Sequence, residues 1–255
     1  MNPALELLVF LGTLLYAYAE ALVKLLLPAK RKAVRGELVL VTGAARGLGR
    51  ATAREFARHQ SRLVLWDVEA HGLKETAAEC EGLGASVHTF VVDCSKREEI
   101  YSAAEKTTRA FLPTMMNNNH GHIVTVASAA GHFVIPFMVA YCSSKFAAVG
   151  FHKALTDELS SLGKDGIKTT CLCPVFINTG FVKNPSMRLG KILEVDEVVK
   201  ALMEGILTNQ KMVFVPSNQR FALLLERLLP ERALNYLKKL TDVKFDAIVG
   251  HGSNQ

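Results

Sequence analysis

The sequence lacks the spaced ligands and motifs that mark most nucleic-acid-binding and metal-binding proteins. It contains no zinc-finger spacing, no aromatic RNA-binding motif and no basic zipper. Isolated histidines such as His88 and His132 have no metal-ligand spacing around them. The net charge is +6, but the Lys and Arg residues are scattered over most of the chain. These absences argue against a nucleic-acid partner and against a metal centre.

Glycosylation signals and cysteine pairs are also missing. No Asn-x-Ser/Thr acceptor is present, because Asn184 is followed by Pro185. The cysteines are odd in number and have no framework spacing, so we expect reduced thiols that act as small apolar core side chains. The five are Cys80, Cys94, Cys142, Cys171 and Cys173. Both features indicate that the main body of the protein faces the cytosol.

The residues that are present describe a folded domain. Of the 255 residues, 49% are hydrophobic and 21% are charged, which excludes a disordered chain and supplies a sizeable core. This length suits one α/β domain, since such domains exceed about 200 residues without dividing.

An apolar segment opens the chain. Leu7 to Ala19 is an uncharged run of 13 residues, shorter than the ~20 that span a bilayer. Extending it to Leu27 includes Glu20 and Lys24, which lie four residues apart and can pair on one helix face. A basic cluster suited to anionic lipid headgroups follows directly; its members are Lys30, Arg31, Lys32 and Arg35.

Three interpretations are open for residues 1–28. Ala17-Tyr18-Ala19 is similar to a signal-peptide cleavage site, but no Lys or Arg precedes the apolar core. A plain amphipathic core helix is the second interpretation. The third, which we favour, is a helix embedded in a membrane or lipid surface and held by the basic cluster. The chain then consists of an anchor over residues 1–28 and a domain over residues 36–255.

The first strand-like segment runs into a glycine-rich loop. Residues 37–42 form a continuous apolar run, typical of a parallel strand buried on both faces. A helical pattern over residues 50–59 follows the loop. A pyrophosphate binds backbone N–H groups at a helix N-terminus, and side chains on the glycines would hold it away. The order of strand, loop and helix predicts a dinucleotide site at Gly43, Arg46, Gly47, Leu48 and Gly49.

Two further strands end in carboxylates. Residues 62–66 lead to Asp67, which can accept hydrogen bonds from ribose hydroxyls and repels a 2′-phosphate. Asp67 therefore favours NAD over NADP. Arg46 favours the opposite, since a guanidinium can bind a 2′-phosphate, but we give Asp67 more weight. The strand over residues 87–92 ends in Asp93, which either contacts the adenine or caps the following helix.

Three polar residues are spaced for proton transfer. Ser128 follows a buried strand over residues 121–127, at the end where α/β enzymes hold their chemistry. Tyr141 and Lys145 lie four residues apart, so they share one helix face. A nearby ammonium lowers the pKa of a tyrosine from its usual ~10, so Tyr141 is expected to act as an acid or base near neutral pH. Ser128 is expected to hold the substrate oxygen.

Together these motifs resemble the short-chain dehydrogenase/reductase family. The Thr-Gly-x-x-x-Gly-x-Gly motif of the family matches Thr42 to Gly49. Its Tyr-x-x-x-Lys pair matches Tyr141 and Lys145, and its active-site serine matches Ser128. The resemblance implies that these three residues are catalytic and that Lys145 also binds the cofactor ribose, with Tyr141 beside it.

The stretch over residues 173–180 is similar to the nicotinamide loop of the family, with Val175 where Gly is usual. This similarity implies that Pro174, Ile177 and Thr179 contact the cofactor.

The resemblance covers nearly the whole chain and extends to the 17β-hydroxysteroid dehydrogenase branch of the family. Residues 63–67, 121–132 and 141–159 carry it, together with the apolar N-terminus. It implies a Rossmann-like, doubly wound parallel sheet and an NAD-dependent oxidoreductase. The implied substrates are lipophilic secondary alcohols or ketones, such as hydroxysteroids or retinoids, and the implied location is the lipid droplet and the endoplasmic reticulum membrane.

One segment is shorter than this fold requires. Between Asp93 and His122 lie 28 residues, whereas two crossover helices, a strand and their loops take roughly 40–60. The segment holds one helix-like stretch, Ser95 to about Met116, interrupted by Pro113. No strand-like run, no Asn-Asn-Ala-Gly motif and no catalytic Asn of the family is found in it, and Asn117-Asn118-Asn119 has the composition of a turn.

We therefore predict that an internal segment is missing near Lys106-Thr107 and that the sheet lacks one central strand. The alternative function that follows is a catalytically inactive, shortened protein associated with lipid droplets.

The C-terminal part contains a last strand and an amphipathic segment. Residues 212–215 form the strand, and residues 221–240 carry an apolar stripe. The stripe predicts a packing surface or a homodimer face, with a lipid-contacting surface as the alternative.

Overall fold

The computed structural model describes residues 2–27, 29–93, 111–180 and 190–241, together with residues 182, 183, 186, 188, 247 and 248. The chain divides into two compact units, Met1–Ala33 and Val34–Gln255.

The first unit is helix α1, Pro3–Leu26. Asn2 caps it, since its Oδ1 accepts a hydrogen bond from the Ala4 N–H at 3.0 Å, and Pro3 occupies the first helical position. Its described side chains are all exposed. The segment Pro3–Val23 is long enough and apolar enough to cross a membrane. A signal sequence meets the same criteria of length and composition. The shortness of the uncharged run therefore does not exclude a span, because the helix continues through its charged residues.

The second unit contains eight strands and seven α-helices among the described residues. The strands are β1 Leu38–Thr42, β2 Arg62–Asp67, β3 Val87–Val91, β4 Gly121–Val126, β5 Ile167–Pro174, β6 Val182–Lys183, β7 Met212–Val215 and β8 Ala247–Ile248. The helices are α2 Gly47–Arg58, α3 Ala70–Gly82, α4 over residues 111–118, α5 Val139–Ser161, α6 Val195–Leu207, α7 Gln219–Leu228 and α8 Glu231–Thr241. A 3-10 turn, Ala129–Gly131, follows β4.

The parallel strands form two separate three-stranded sheets. One has the order β1-β2-β3 and the other β4-β5-β7, while β6 and β8 pair antiparallel. Among the described strands, β1 and β4 do not pair with each other. The predicted parallel arrangement of the strands is confirmed. The division between the two sheets falls between β1 and β4, where we expected a central strand to be missing.

One helical layer joins the two sheets. Helices α2 and α6 pack against each other, and their buried side chains belong to a single core with both sheets. That core includes Val41 of β1, Leu65 of β2, Leu172 of β5 and Val198 of α6. The halves are therefore held together by side-chain packing on this face instead of by a continuous strand ladder.

Helices α5 and α4 pack on the opposite face of the sheets. Helix α5 packs on β4 and β5, where Val149 meets Cys171 and Cys173. Phe111 of α4 lies against Trp66 of β2, with ring centroids 6.4 Å apart. Several apolar side chains of the sheets remain in contact with water: Leu38 is 59% exposed, Phe90 55%, Val91 64% and Val126 47%.

Some predicted local features need correction. Residues 111–118 are helical through Pro113, so the proline does not interrupt this part of the helix. Asn117 and Asn118 end α4, and only Asn119 lies in the turn, with a φ of 45°. The predicted break at Lys106-Thr107 lies outside the described residues.

The apolar segment predicted over residues 221–240 is also divided. It forms two helices, α7 and α8, separated at Pro230.

Candidate active site

The glycine loop joins β1 to α2 and leaves the helix N-terminus open. Gly43 and Gly47 have φ values of +67° and +55°, the left-handed region that favours glycine. A methyl group at Gly49 would overlap the carbonyl oxygen of Gly43. Arg46, the N-cap of α2, is extended and makes no side-chain capping hydrogen bond. The first N–H groups of α2 thus keep the capacity to bind an anion.

Asp67 fixes the loop from the end of β2. Its Oδ2 accepts a hydrogen bond from the Ala45 N–H at 2.9 Å, and its Oδ1 accepts one from the Glu69 N–H at 3.0 Å. Each carboxylate oxygen retains a lone pair for a further donor. A dinucleotide fits this arrangement, because the pyrophosphate would meet a bare loop and helix N-terminus while the ribose hydroxyls would meet a carboxylate.

Ser128 and Tyr141 approach each other because the turn after β4 packs closely on α5. A Cβ at Gly131 would lie 2.6 Å from the Lys145 carbonyl oxygen, so only glycine permits this approach. Ser128 is buried; its hydroxyl donates to the Pro174 carbonyl at 3.2 Å and accepts from the Ala130 N–H at 3.1 Å. The hydroxyls of Ser128 and Tyr141 also share a hydrogen bond.

Burial raises the pKa of the Tyr141 phenol, and the hydrogen bond with Ser128 offsets part of that rise. The prediction that Lys145 lowers this pKa is therefore wrong for the protein alone. The Lys145 Nζ lies 5.6 Å from the centroid of the Tyr141 ring and donates to the Val126 carbonyl at 3.2 Å. Desolvation of the phenol outweighs any effect of the ammonium, so Tyr141 holds its proton at neutral pH.

Lys145 is itself partly desolvated. Burial lowers the pKa of its ammonium, and the neighbouring Cys171 and Cys173 oppose that shift. The Sγ atoms of these two cysteines lie 3.7 Å apart. The four described cysteines are free and buried, as predicted, whereas Cys94 lies outside the described residues.

A single cavity of about 910 Å³ brings the predicted site together. All three predicted catalytic residues line it, as do all but one of the predicted cofactor-binding residues: Gly43, Arg46, Gly47, Leu48, Gly49, Asp67, Ser128, Tyr141, Lys145, Pro174, Ile177 and Thr179. The exception is Asp93, which is exposed beyond the end of β3 and outside the cavity wall. Among the described residues, no His, Cys, Asp and Glu cluster could hold a metal ion.

Sequence reasoning missed the far wall of the cavity. Apolar side chains after β4 contribute to it, and α7 and α8 contribute Gln219, Ala222, Glu226, Leu234, Leu237 and Thr241. The amphipathic pattern of residues 221–240 was the available signal. It identified a buried face but did not show that the face borders a cavity.

Comparison with known proteins identifies the family. The family model described as short chain dehydrogenase matches residues 37–107 and 101–188. The chain is 54% identical to estradiol 17-beta-dehydrogenase 11 of Homo sapiens, with 98% of each chain covered. It is 50% identical to 17-beta-hydroxysteroid dehydrogenase 13 of Homo sapiens, again with 98% of each covered. The chain belongs to the short-chain dehydrogenase/reductase family.

Both relatives fall in the branch that the sequence resembles, so the predicted similarity to 17β-hydroxysteroid dehydrogenases of types 11 and 13 is confirmed. Both alignments span 295 positions, 40 more than the 255 residues of this short-chain dehydrogenase/reductase.

Solved structures agree on the fold. The chain is similar to a short chain dehydrogenase/reductase from Burkholderia phymatum in complex with NAD, with a TM-score of 0.65, 22% identity, and 83% of this chain and 98% of the other covered. It is also similar to a short-chain dehydrogenase from Sphingobium yanoikuyae in complex with NADPH, with a TM-score of 0.63, 20% identity, and 86% and 99% covered. The Rossmann-like fold class is confirmed.

Proposed function

We propose that this chain is an NAD-dependent oxidoreductase that interconverts a lipophilic secondary alcohol and its ketone. One observation carries the proposal: Ser128, Tyr141 and Lys145 line the same cavity as the glycine loop and Asp67. The bound nicotinamide would supply or accept the hydride. Tyr141 donates a proton to the carbonyl oxygen, or takes it back in the reverse direction, while Ser128 holds that oxygen. Lys145 lies beside Tyr141, where it can bind the nicotinamide ribose.

The choice of NAD rests on Asp67. Its carboxylate lies at the glycine loop, where it would accept hydrogen bonds from the ribose hydroxyls and repel a 2′-phosphate. Arg46 also lines the cavity and favours the phosphate. Asp67 prevails because the Ala45 N–H holds its carboxylate in place, whereas no hydrogen bond of the described loop fixes the Arg46 side chain.

The substrate class rests on the cavity wall and on the relatives. Apolar side chains line much of it, among them Phe133, Ile135, Met138, Phe176 and Leu237. A wall of this kind suits a flat or extended lipid. Relatives over 50% identical are named as dehydrogenases of estradiol, which supports a 17β-hydroxysteroid, with a retinoid or another lipid alcohol as alternatives.

Residence at the lipid droplet and endoplasmic reticulum membrane, with the catalytic domain in the cytosol, is part of the proposal. It is supported by the exposed, apolar α1 and by the basic residues that follow it. We place the anchor over residues 1–28 and the catalytic domain over residues 36–255.

Hydride transfer tests this function. The full chain is assayed for oxidation of NADH by 17-ketosteroids and for reduction of NAD by the corresponding alcohols. Tyr141→Phe is expected to lower the rate by at least about 100-fold and to change NADH affinity far less, because the proton donor is removed while Lys145 and the glycine loop still bind the cofactor. Equal rates for the two proteins would exclude Tyr141 as the proton donor.

A second candidate function is a catalytically inactive, shortened protein of the lipid droplet. The divided sheet favours it. We propose that the segment missing near residues 106–107 is the cause. The family model matches in two pieces that meet at residues 101–107, which supports this position. The extra positions in the alignments with the relatives support the loss of at least 40 residues.

A further inference from the structure

Helix α7 has two opposite faces, one that lines the cavity and one that is exposed to water. Its inner face, with Gln219, Ala222 and Glu226, lines the cavity, and these positions repeat at the spacing of one helix side. Its outer face consists of large apolar side chains in contact with water: Phe221 is 71% exposed, Leu224 55%, Leu225 43% and Leu228 69%. The outer positions follow the spacing i, i+3, i+4 and i+7, so they form one continuous stripe.

Helix α8 repeats the arrangement with different chemistry. Leu234, Leu237 and Thr241 lie on the cavity side, at i, i+3 and i+7. The opposite side of the helix presents Arg232, Tyr236 and Lys239, at i, i+4 and i+7, and all three are exposed. An aromatic side chain between two basic ones suits the boundary between lipid headgroups and acyl chains.

The position of α7 relative to the core is fixed. The Arg220 guanidinium donates to the Met212 carbonyl at 2.8 Å, and Leu223 packs against the core that contains Phe214. The outer stripe of α7 is thus held away from the core and cannot be buried by a small rotation of the helix.

We infer that the outer faces of α7 and α8 lie in the surface of an anionic phospholipid layer. The leucine and phenylalanine stripe enters the acyl region, while Arg232 and Lys239 meet the headgroups. A second copy of this chain fits less well, because exposed Lys side chains are depleted at protein interfaces. Helix α7 lies between this surface and the cavity. A lipophilic substrate therefore passes from the lipid layer around α7 into the cavity, a step that rests on the proposed function.

The test places an environment-sensitive label on the stripe of the full-length chain. Leu225→Cys is labelled with nitrobenzoxadiazole and mixed with vesicles of phosphatidylcholine and phosphatidylserine, with and without doxyl-labelled lipid. Glu158→Cys, at an exposed position on α5, is the matched control, and the parent chain treated with the same reagent gives the background. The label at position 225 is expected to shift to shorter wavelength and to be quenched by the doxyl groups, whereas the label at 158 is expected to do neither.

Three results would overturn the inference. In the first, the chain binds the vesicles but the label at 225 stays in water, which leaves the proposed function intact. In the second, the label is shielded before vesicles are added and the protein has twice the mass of one chain, which indicates a homodimer. In the third, the full chain does not bind vesicles, which overturns membrane residence as well.

A charge variant provides an independent measurement. Arg232→Gln with Lys239→Gln is expected to lower the affinity for phosphatidylserine vesicles by roughly fivefold for each charge removed. Binding to pure phosphatidylcholine should be unchanged. Equal affinity of the variant and the parent chain for anionic vesicles would contradict the inference.

Discussion

Asp67 connects the local structure of the glycine loop to the choice of cofactor. Its carboxylate accepts the Ala45 N–H and is thereby held at the glycine loop, where we propose that it meets the 2′ position of the adenosine. Repulsion between unit charges about 4 Å apart costs ~1 kcal/mol even in water. We therefore expect NADH to bind at least about fivefold more tightly than NADPH, and Asp67→Ala to narrow this difference in affinity. Fluorescence titration of each nucleotide measures both constants.

Arg46→Ala is the matched control for this prediction. It removes the loop cation and should weaken NADPH binding more than NADH binding, which widens the difference. Equal or tighter binding of NADPH by the unaltered chain would contradict the assignment of Asp67.

His152 links burial to the pH dependence of stability. It is 2% exposed, and burial lowers the pKa of its imidazole from the ordinary 6.5. Its Nδ1 has no hydrogen-bond partner within the described part of the chain. Lys153 and Lys211 lower this pKa further, against a hydrogen bond to the Lys211 backbone. Below pH 6.5 the unfolded chain binds a proton at His152 more readily than the folded chain does. The free energy of unfolding therefore falls as the pH falls.

His152→Gln is expected to flatten this dependence between neutral pH and pH ~5, because glutamine does not titrate. Chemical denaturation at each pH measures the slope. His71→Gln, at a histidine whose side chain is 84% exposed, should leave the slope unchanged. A slope that stays the same in His152→Gln would show that other groups control acid stability.

Most of the site residues could be predicted because their spacing expresses local geometry. Tyr141 and Lys145 share a helix face by periodicity, and the glycines are required by the turn between β1 and α2. The pKa of Tyr141 could not be predicted, since its direction depends on how fully the tertiary structure removes water from the phenol. Asp93 shows the same limit: the end of a strand predicts an edge of the sheet but not a place in the cavity wall.

At the scale of elements, strands were easier to predict than the helices of the C-terminal part. The apolar runs of the sequence place β1, β2 and β3 within about one residue of their observed ends, although β3 is largely exposed instead of buried. The stripe of residues 221–240 predicts a helix in that region, but Pro230 divides it into two helices. Each of these helices has one face toward the cavity and one face toward water. The apolar pattern alone does not distinguish a face that lines a cavity from a face that packs on a core.

Helix α1 is expected to provide most of the membrane affinity. Its side chains supply a long run of exposed apolar surface, and each buried methylene contributes ~0.8 kcal/mol. Deletion of residues 1–28 should therefore move the protein into the soluble fraction. The basic cluster with α7 and α8 should leave only weak association that salt reverses, because exposed charges are screened. Flotation with lipid droplets at low and high salt measures both effects.

The body of the chain provides the control, since residues 34–255 form a compact unit without α1. The truncated protein should keep the melting temperature and NADH affinity of the full chain. Truncated protein that still floats at high salt would show that α7 and α8 are the principal anchor.

At the scale of the whole molecule, the described parallel strands form two three-stranded sheets instead of one continuous sheet. A continuous ladder would set the distance between the glycine loop after β1 and Ser128 after β4 through strand spacings of ~4.8 Å. Here α2 and α6 set that distance through side-chain packing on one face. Apolar side chains of β1, β3 and β4 that remain in contact with water lower stability. Strands β1 and β4 each have one edge without a partner among the described strands, which adds an aggregation hazard. We propose that both effects follow from the absence of a segment near residues 106–107.

The proposed absence of this segment is expected to lower the turnover rate more than it lowers stability or cofactor binding. A misplacement of ~1 Å can lower a rate by about 100-fold, and nothing in the described strands locks the two halves of the site to that tolerance. We therefore expect weak NADH binding, a low melting temperature and steroid or retinol turnover at least about 100-fold below that of a chain with the segment restored. The restored chain carries the corresponding residues of the human type 11 relative between Lys106 and Thr107. Steady-state kinetics of both chains, with Tyr141→Phe in each as the background, measures the difference. A kcat for the short chain within about tenfold of the restored one would show that helix packing alone aligns the site.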